Sequence, residues 1–308
     1  MKEPKKYLIF GDKNLCGFGN QLRSLVGWYL LSKLVNREFV ITNTLINEAF
    51  TSPFSSKDFS KPSEIKSYIS HHLPEESCDV ENIDFSIIED EMIEVGGSEP
   101  MLWRLSQNPF LAAEIRVLLK KYKTHDIQRL SQDLFSEIID SVSPEFENLN
   151  LYGEIPYKES NYAVVQFRSF CECAWEGIKS LDGFISTFIE AVKEHNITAT
   201  NIVVLSDSRG LSAYIKSKIE ETFKDKNVYM GDGPRCPTCL NKGMLHSMAL
   251  GAAGGETSLL TIKDWLILGK SEFIYSSGTS FGESAAQFFG LPHCFFNSDF
   301  AGFIDFSQ

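Results

Sequence analysis

The chain has 308 residues, 43% hydrophobic and 23% charged, a globular profile with room for about two domains. Its 29 basic and 41 acidic residues leave a formal net charge of −12 and a pI near 5.0. That balance argues against coating nucleic acid or anionic membrane, but not against one small anion held by local arginines.

No stretch reaches the roughly 18 apolar residues of a membrane span. The most apolar early interval, residues 22–40, is interrupted by Arg23, Lys33, Asn36 and Arg37. A strand-like Tyr7–Phe10 stands where a signal peptide would have its apolar core. The reading is a cytoplasmic chain with no membrane segment; a secretory or Golgi anchor removed from it is the alternative.

In chain order, Tyr7–Phe10 predicts a strand, 11–19 a polar glycine-containing turn and 20–36 a helix. Leu22, Leu25, Val26, Tyr29, Leu30 and Leu34 share one face of that helix. A second strand over 39–41 completes a βαβ unit, the start of a parallel sheet. Residues 43–100 are rich in Ser, Glu, Asp and Pro and predict loops, with a strand-like piece at 85–88. Helical spacing returns over 110–122 and 126–142. Residues 148–161, with Gly153 and Pro156, predict the linker.

The second half restarts the alternation. Strands are predicted at 162–167, 201–205, 228–230, 273–275 and 293–296. Helices are predicted at 181–195, 211–223, 257–268 and 281–289. The expected architecture is α/β, with domains at 1–150 and 151–308. In such sheets ligands gather beyond the carboxyl ends of the strands.

Four segments fall there. The turn 11–23 carries Gly17 and Gly19, followed by Asn20 and Gln21; the bland reading makes Asn20 a helix cap. Arg168 follows the strand at 162–167 and offers a rigid fork of donors suited to a phosphate, or to a structural ion pair. Asp207, in Leu205-Ser-Asp-Ser208, can hold a ligand or cap a helix. The turn 275–282 places hydroxyls and backbone N–H groups at a helix start, the recipe for a phosphate cradle.

Seven cysteines include two close pairs, Cys171 with Cys173 and Cys236 with Cys239. They read as free thiols first; a disulfide and a zinc site are the alternatives, and the first pair is tighter than usual zinc spacing. No metal site is assigned.

Taken in order, these segments resemble the fucosyltransferase superfamily, closest to the plant xyloglucan α-1,2-fucosyltransferases, with the peptide O-fucosyltransferases as relatives. The matching text is 7–41 with Gly17-Phe-Gly-Asn-Gln21 inside it, Val164-Val-Gln-Phe-Arg168, Leu205-Ser-Asp-Ser208, and Lys263-Asp-Trp-Leu-Ile-Leu268 through 276–281. It covers about half the chain. Gln166 and Ser169 stand where some relatives have a histidine and a second arginine; the plant branch shares the glutamine.

The resemblance implies a GT-B fold, two Rossmann-like doubly wound domains facing each other across a cleft. It also implies a GDP-fucose donor held mainly by the C-terminal half and a glycan or protein hydroxyl as acceptor. Arg168 would contact the diphosphate, Thr279, Ser280 and Phe281 would form the phosphate turn, and Asp264 would help read the guanine. Asn20 would stand near the sugar. His246, in a glycine-rich stretch, would line the donor pocket. No cofactor is implied beyond the donor substrate.

The sequence contains no Asp-x-Asp of the kind that holds a divalent ion in metal-dependent sugar transferases, so the expected transfer is metal-independent and inverting. Asp12, Glu172, Glu176 and Asp182 lie near the motifs, but each reads more simply as a surface or capping residue. The alternatives are another nucleotide sugar on the same scaffold, or a non-catalytic glycan-binding protein.

Overall fold

The computed structural model describes residues 5–12, 17–56, 58–70, 82–97, 101–121, 127–147, 161–167, 178–195, 197–206, 209–231, 256–277, 280–297 and 300–305. The chain divides into two units, Met1–Asn148 and Leu149–Gln308. Each contains its own main sheet, parallel throughout in the first and parallel but for one edge strand in the second.

In the first unit the sheet order is β2-β1-β5-β4, with β1 at Tyr7–Phe10, β2 at Glu38–Ile41, β4 at Lys66–Ser70 and β5 at Met92–Gly97. A two-residue strand β3 (Phe50–Thr51) pairs separately with β6 (Ser141–Val142). Helix α1 (Phe18–Leu34) joins β1 to β2. It is apolar nearly all round, so it is buried on several sides. It packs against β5 and against α3 (Met101–Gln107) and α5 (Ile127–Ile138). Trp28 donates its indole N–H to the Gly96 carbonyl at 3.2 Å, and Ser24 Oγ donates to that of Gly97 at 2.9 Å. Short helices α2 (Thr44–Ala49), α4 (Ala112–Lys121) and α6 (Pro144–Glu147) complete the unit.

The expectation of loops over 43–100 is corrected here: β4 and β5 are full members of the sheet, and β5 lies beside β1. Glu94, Gly96 and Gly97 interrupt the apolar run that would have marked a buried strand. The piece at 85–88 is a 3₁₀ turn, not a strand, opened by Asp84 accepting from the Ser86 N–H. Arg37 holds this connection in place by donating to the Ile88 and Asp90 carbonyls, both at 2.8 Å.

The second unit has six strands in the order β12-β11-β10-β7-β8-β9. They are β7 (Tyr162–Phe167), β8 (Asn201–Ser206), β9 (Asn227–Met230), β10 (Phe273–Ser276), β11 (Pro292–Asn297) and the antiparallel β12 (Phe300–Asp305). Sequence reasoning ended the sheet at β11 and missed β12. Helices α7 (Ile178–Glu194) and α8 (Arg209–Thr222) follow β7 and β8. Helices α9 (Glu256–Gly269) and α10 (Ser280–Phe289) flank β10.

Period-2 alternation sorts the side chains between two faces. Ala163, Val165, Phe167, Phe273 and Tyr275 face α7 and share a core with Phe184 and Phe188. Tyr275 donates to the Phe184 carbonyl at 3.0 Å, and burial raises its hydroxyl pKa. On the opposite face, Tyr162 donates to the Ile267 carbonyl of α9 at 2.7 Å. Fully burying one such aromatic contributes about 2–3 kcal/mol, so this core fixes the strand ends firmly.

Candidate functional site

The chain starts the second sheet at β7, walks outward through β8 and β9, then returns to β7's other flank as β10. The helices that follow β7 and β10 lie on opposite faces: α7 packs on the face of Val165 and Tyr275, and α10 meets Gln166 and Ser276 on the other. The carboxyl ends of β7 and β10 therefore mark a topological switch point, outside which open α/β sheets have their ligand-binding crevice.

Three residues build the floor of that crevice. Gln166 and Ser276 are register partners across β7 and β10, and both are buried. Gly282, in the first turn of α10, lies on top of them. A Cβ at residue 282 would stand 2.8 Å from Ser276 Cβ and 3.4 Å from Gln166 Oε1. Only glycine lets the helix start come so close to the strand ends. Ser277 N–H donates to the Gln166 carbonyl at 3.0 Å, stitching the turn after β10 to β7.

Ser276 Oγ is hydrogen-bonded to His293 Nε2 at 2.9 Å, and both side chains are buried. Burial pushes the His293 pKa down to about 4, so the ring is neutral near pH 7. Cys294, its neighbour, is a buried free thiol whose pKa burial raises to about 11. It is inert as a nucleophile.

Above this floor α10 begins. The first N–H groups of a helix have no partner within it and carry the positive end of its dipole. Ser280 and Phe281, both half-buried, are its first two residues. The helix is clamped to α9 by Trp265, whose indole N–H donates to Ser284 Oγ at 3.0 Å, while Ser284 Oγ donates to the Phe281 carbonyl at 3.0 Å. Asp264 precedes that tryptophan and is 5% exposed, a buried carboxylate and not a solvated helix residue.

Of the sequence-predicted site residues, Ser280, Phe281 and Asp264 lie on the two helices flanking β10. Arg168, Asp207, His246 and Thr279 lie outside the described residues, as do Glu172, Glu176 and the cysteines at 171, 173, 236 and 239. The described strands end at Phe167 and Ser206, one residue short of Arg168 and Asp207. Among the described residues no group of three His, Cys, Asp or Glu side chains is close enough to share a metal.

Gly17, Gly19 and Asn20 belong to the first unit. Gly17 is the N-cap of α1, with φ −63° and ψ 158°, and Asn20 is already helical and half-buried. The cap reading of Asn20 is thereby corrected. Phe18, stacked on Phe50 at 6.1 Å, draws the first turn into the core and starts the helix two residues earlier. Asp12 accepts from the N–H of Thr44 at 2.7 Å and its hydroxyl at 2.9 Å; Asp182 accepts from Tyr214 at 2.8 Å.

No family model matches the chain, and no curated protein matches it in sequence. Solved structures do. Arabidopsis thaliana FUT1, a variant in complex with GDP, superposes with a TM-score of 0.64 at 13% identity, covering 94% of this chain and 70% of that one. The alpha-1,6-fucosyltransferase NodZ co-crystallised with GDP gives 0.54 at 13% identity, covering 98% of both chains. This chain has the fucosyltransferase fold. NodZ from Bradyrhizobium agrees, at 0.53 and 12% identity over 98% of this chain and 99% of that one. Within the turn 275–282 that the sequence singled out, what it did not show is that Ser276 pairs with His293 and that Gly282 lies against Ser276 and Gln166. The Ser-Ser-Gly-Thr-Ser-Phe-Gly run was visible, but no periodicity announces which glycine lies against a strand.

Proposed function

We propose that the chain is a glycosyltransferase that moves fucose from GDP-fucose to a hydroxyl of a glycan or protein, in a GT-B arrangement. The observation that carries this is the β7–β10 crevice, where the start of α10 closes on the strand ends through Gly282. Its support is the fold shared with structures that hold GDP.

Breaking the bond from the anomeric carbon to the diphosphate leaves positive charge on the sugar and negative charge on the departing GDP. Fixed donors aimed at that charge lower the barrier. In this reading the Ser280 and Phe281 N–H groups, with Thr279, receive the phosphates, and Arg168 neutralises the leaving oxygen. Gln166, Ser276 and His293 contribute no net charge; they hold the turn so that its donors need not reorganise. Asp264 accepts from guanine N–H groups, which uracil and adenine do not match. Asp207 and His246 border the donor. Gly17, Gly19 and Asn20 stand near the sugar on the acceptor side. Transfer inverts the anomeric centre, because the hydroxyl attacks from the face opposite the diphosphate, and needs neither metal nor cofactor.

The test is turnover of GDP-fucose against a panel of glycan and peptide acceptors, with and without EDTA. Transfer that survives chelation and fails with UDP-sugars is expected. Transfer from a UDP-sugar would overturn the donor; loss on chelation would overturn the metal-free step. Glycan binding with no donor consumption would leave a lectin on this fold.

A further inference from the structure

The first unit holds a charged pair in an unusual place. Glu94 lies in the middle of β5, in register with Ile9 of β1 and Ser67 of β4, and its side chain is 4% exposed. Lys61 meets it at 2.6 Å and is 29% exposed. Burying a carboxylate, even one paired with a half-exposed lysine, is seldom better for stability than an apolar residue of the same shape. Stability alone therefore does not account for a carboxylate between two apolar neighbours, Ile93 and Val95.

Its position gives another account. Tyr7, Ile9, Gly11 and Glu94 share one face of the sheet by register, opposite the face on which Phe39 meets Tyr29 of α1. The connection from β2 to β4 crosses that face: Phe59 packs on Tyr7 and Lys61 binds Glu94. A Cβ on Gly11 would stand 2.0 Å from Glu94 Oε1 and 3.0 Å from Lys61 Nζ. The carboxylate thus lies against the backbone of the first residue after β1.

Gly11 is tied from the other side as well. Its carbonyl accepts from Asn43 Nδ2 at 3.1 Å, while Asn43 Oδ1 caps α2 by accepting from the Ile46 N–H at 3.0 Å. Next to it, Asp12 is held by Thr44. Three connections, those leaving β1, leaving β2 and entering β4, therefore meet around one carboxylate.

We infer that Glu94 is a positioning residue for the transfer step: clasped by Lys61, it fixes the backbone of Gly11, the first residue of the turn that carries Gly17 and Gly19 ahead of Asn20. The role in transfer rests on the proposed function; the clasp itself does not.

The test uses the full chain with Glu94→Gln and, because that variant risks misfolding, Lys61→Gln, which breaks the pair from its more exposed end. Expected for Glu94→Gln are a kcat lowered by about tenfold or more, as small displacements of reacting groups produce, and unchanged affinity for GDP. Amide exchange should be faster at residues 9–12 and 43–44 while melting stays within about 3 °C of wild type. Lys61→Gln should shift the same amides to a smaller degree. Unchanged exchange at these positions in both variants, or a kcat within about twofold of wild type, overturns the inference. Exchange rising evenly across the unit, in step with a lower melting temperature, reduces the pair to structure and overturns it too. A wild type that transfers no fucose contradicts the function instead, and exchange at residues 9–12 still decides the clasp.

Discussion

At the carboxyl ends of β7 and β10 the buried polar side chains Gln166, Ser276 and His293 are uncharged, whereas beside the carboxyl end of β1 a half-buried cation, Lys61, meets a buried anion, Glu94. Both places use a glycine to let polar atoms press on backbone, Gly282 in one and Gly11 in the other. Gln166, Ser276 and neutral His293 carry no net charge, so in the proposed reading the donors for an arriving anion come from the start of α10 and from Arg168. Lys61 and Glu94 cancel one another, so their site holds chain in place more than it attracts a ligand. The contrast fits the proposed division of labour, with a diphosphate taken at the β7–β10 end and chain placement at the β1 end.

The largest way to break that contrast is to remove the charge that the donor side takes from outside its floor. Arg168→Ala should lower transfer by about 10²–10³ while leaving melting unchanged, measured as kcat with saturating acceptor. Transfer at the wild-type rate would remove the arginine from the mechanism.

A change nearly as large is expected from acid. The folded His293 pKa of about 4 lies below its ordinary 6.5. As pH falls from 6.5 towards 4, the unfolded chain takes up a proton that the folded chain refuses, so stability drops by up to about 3 kcal/mol. Below pH 4 this group contributes no further loss. Chemical denaturation at pH 7 and pH 4.5 should show a steeper decline for wild type than for His293→Gln; equal declines would mean that the buried ring is not the cause.

Smaller again is Gly282→Ala. The added methyl meets Ser276 Cβ, a side chain with no room to retreat, so a loss of about 1–3 kcal/mol is expected in denaturation, together with weaker GDP binding. A variant that keeps both its stability and its GDP affinity would show that the close approach does not shape the site.

Much of this was legible in the residues because the second unit follows local rules. Apolar runs at 162–167 and 201–205 and helical spacing at 181–195 all correspond to observed elements, β7, β8 and α7. The site was legible wherever a strand end met a run of small polar residues, as at 276–281. What stayed hidden is non-local. β5 carries Glu94 and glycines, so its sequence reads as loop, and only pairing with β1 makes it a strand. β12 pairs antiparallel with β11, a contact that no spacing announces. Lys61 and Glu94 stand 33 positions apart, and nothing in either segment points to the other.

In the proposed function the β7–β10 crevice takes a guanosine diphosphate. Calorimetric titration of the wild-type chain with GDP, UDP and ADP, repeated on Gly282→Ala, addresses it most directly. GDP alone should bind, and at one hundred times its Kd should stabilise the fold by about 2.7 kcal/mol, with affinity lost in the variant. Equal binding of all three nucleotides, binding of none, or GDP affinity indifferent to residue 282 would contradict the account.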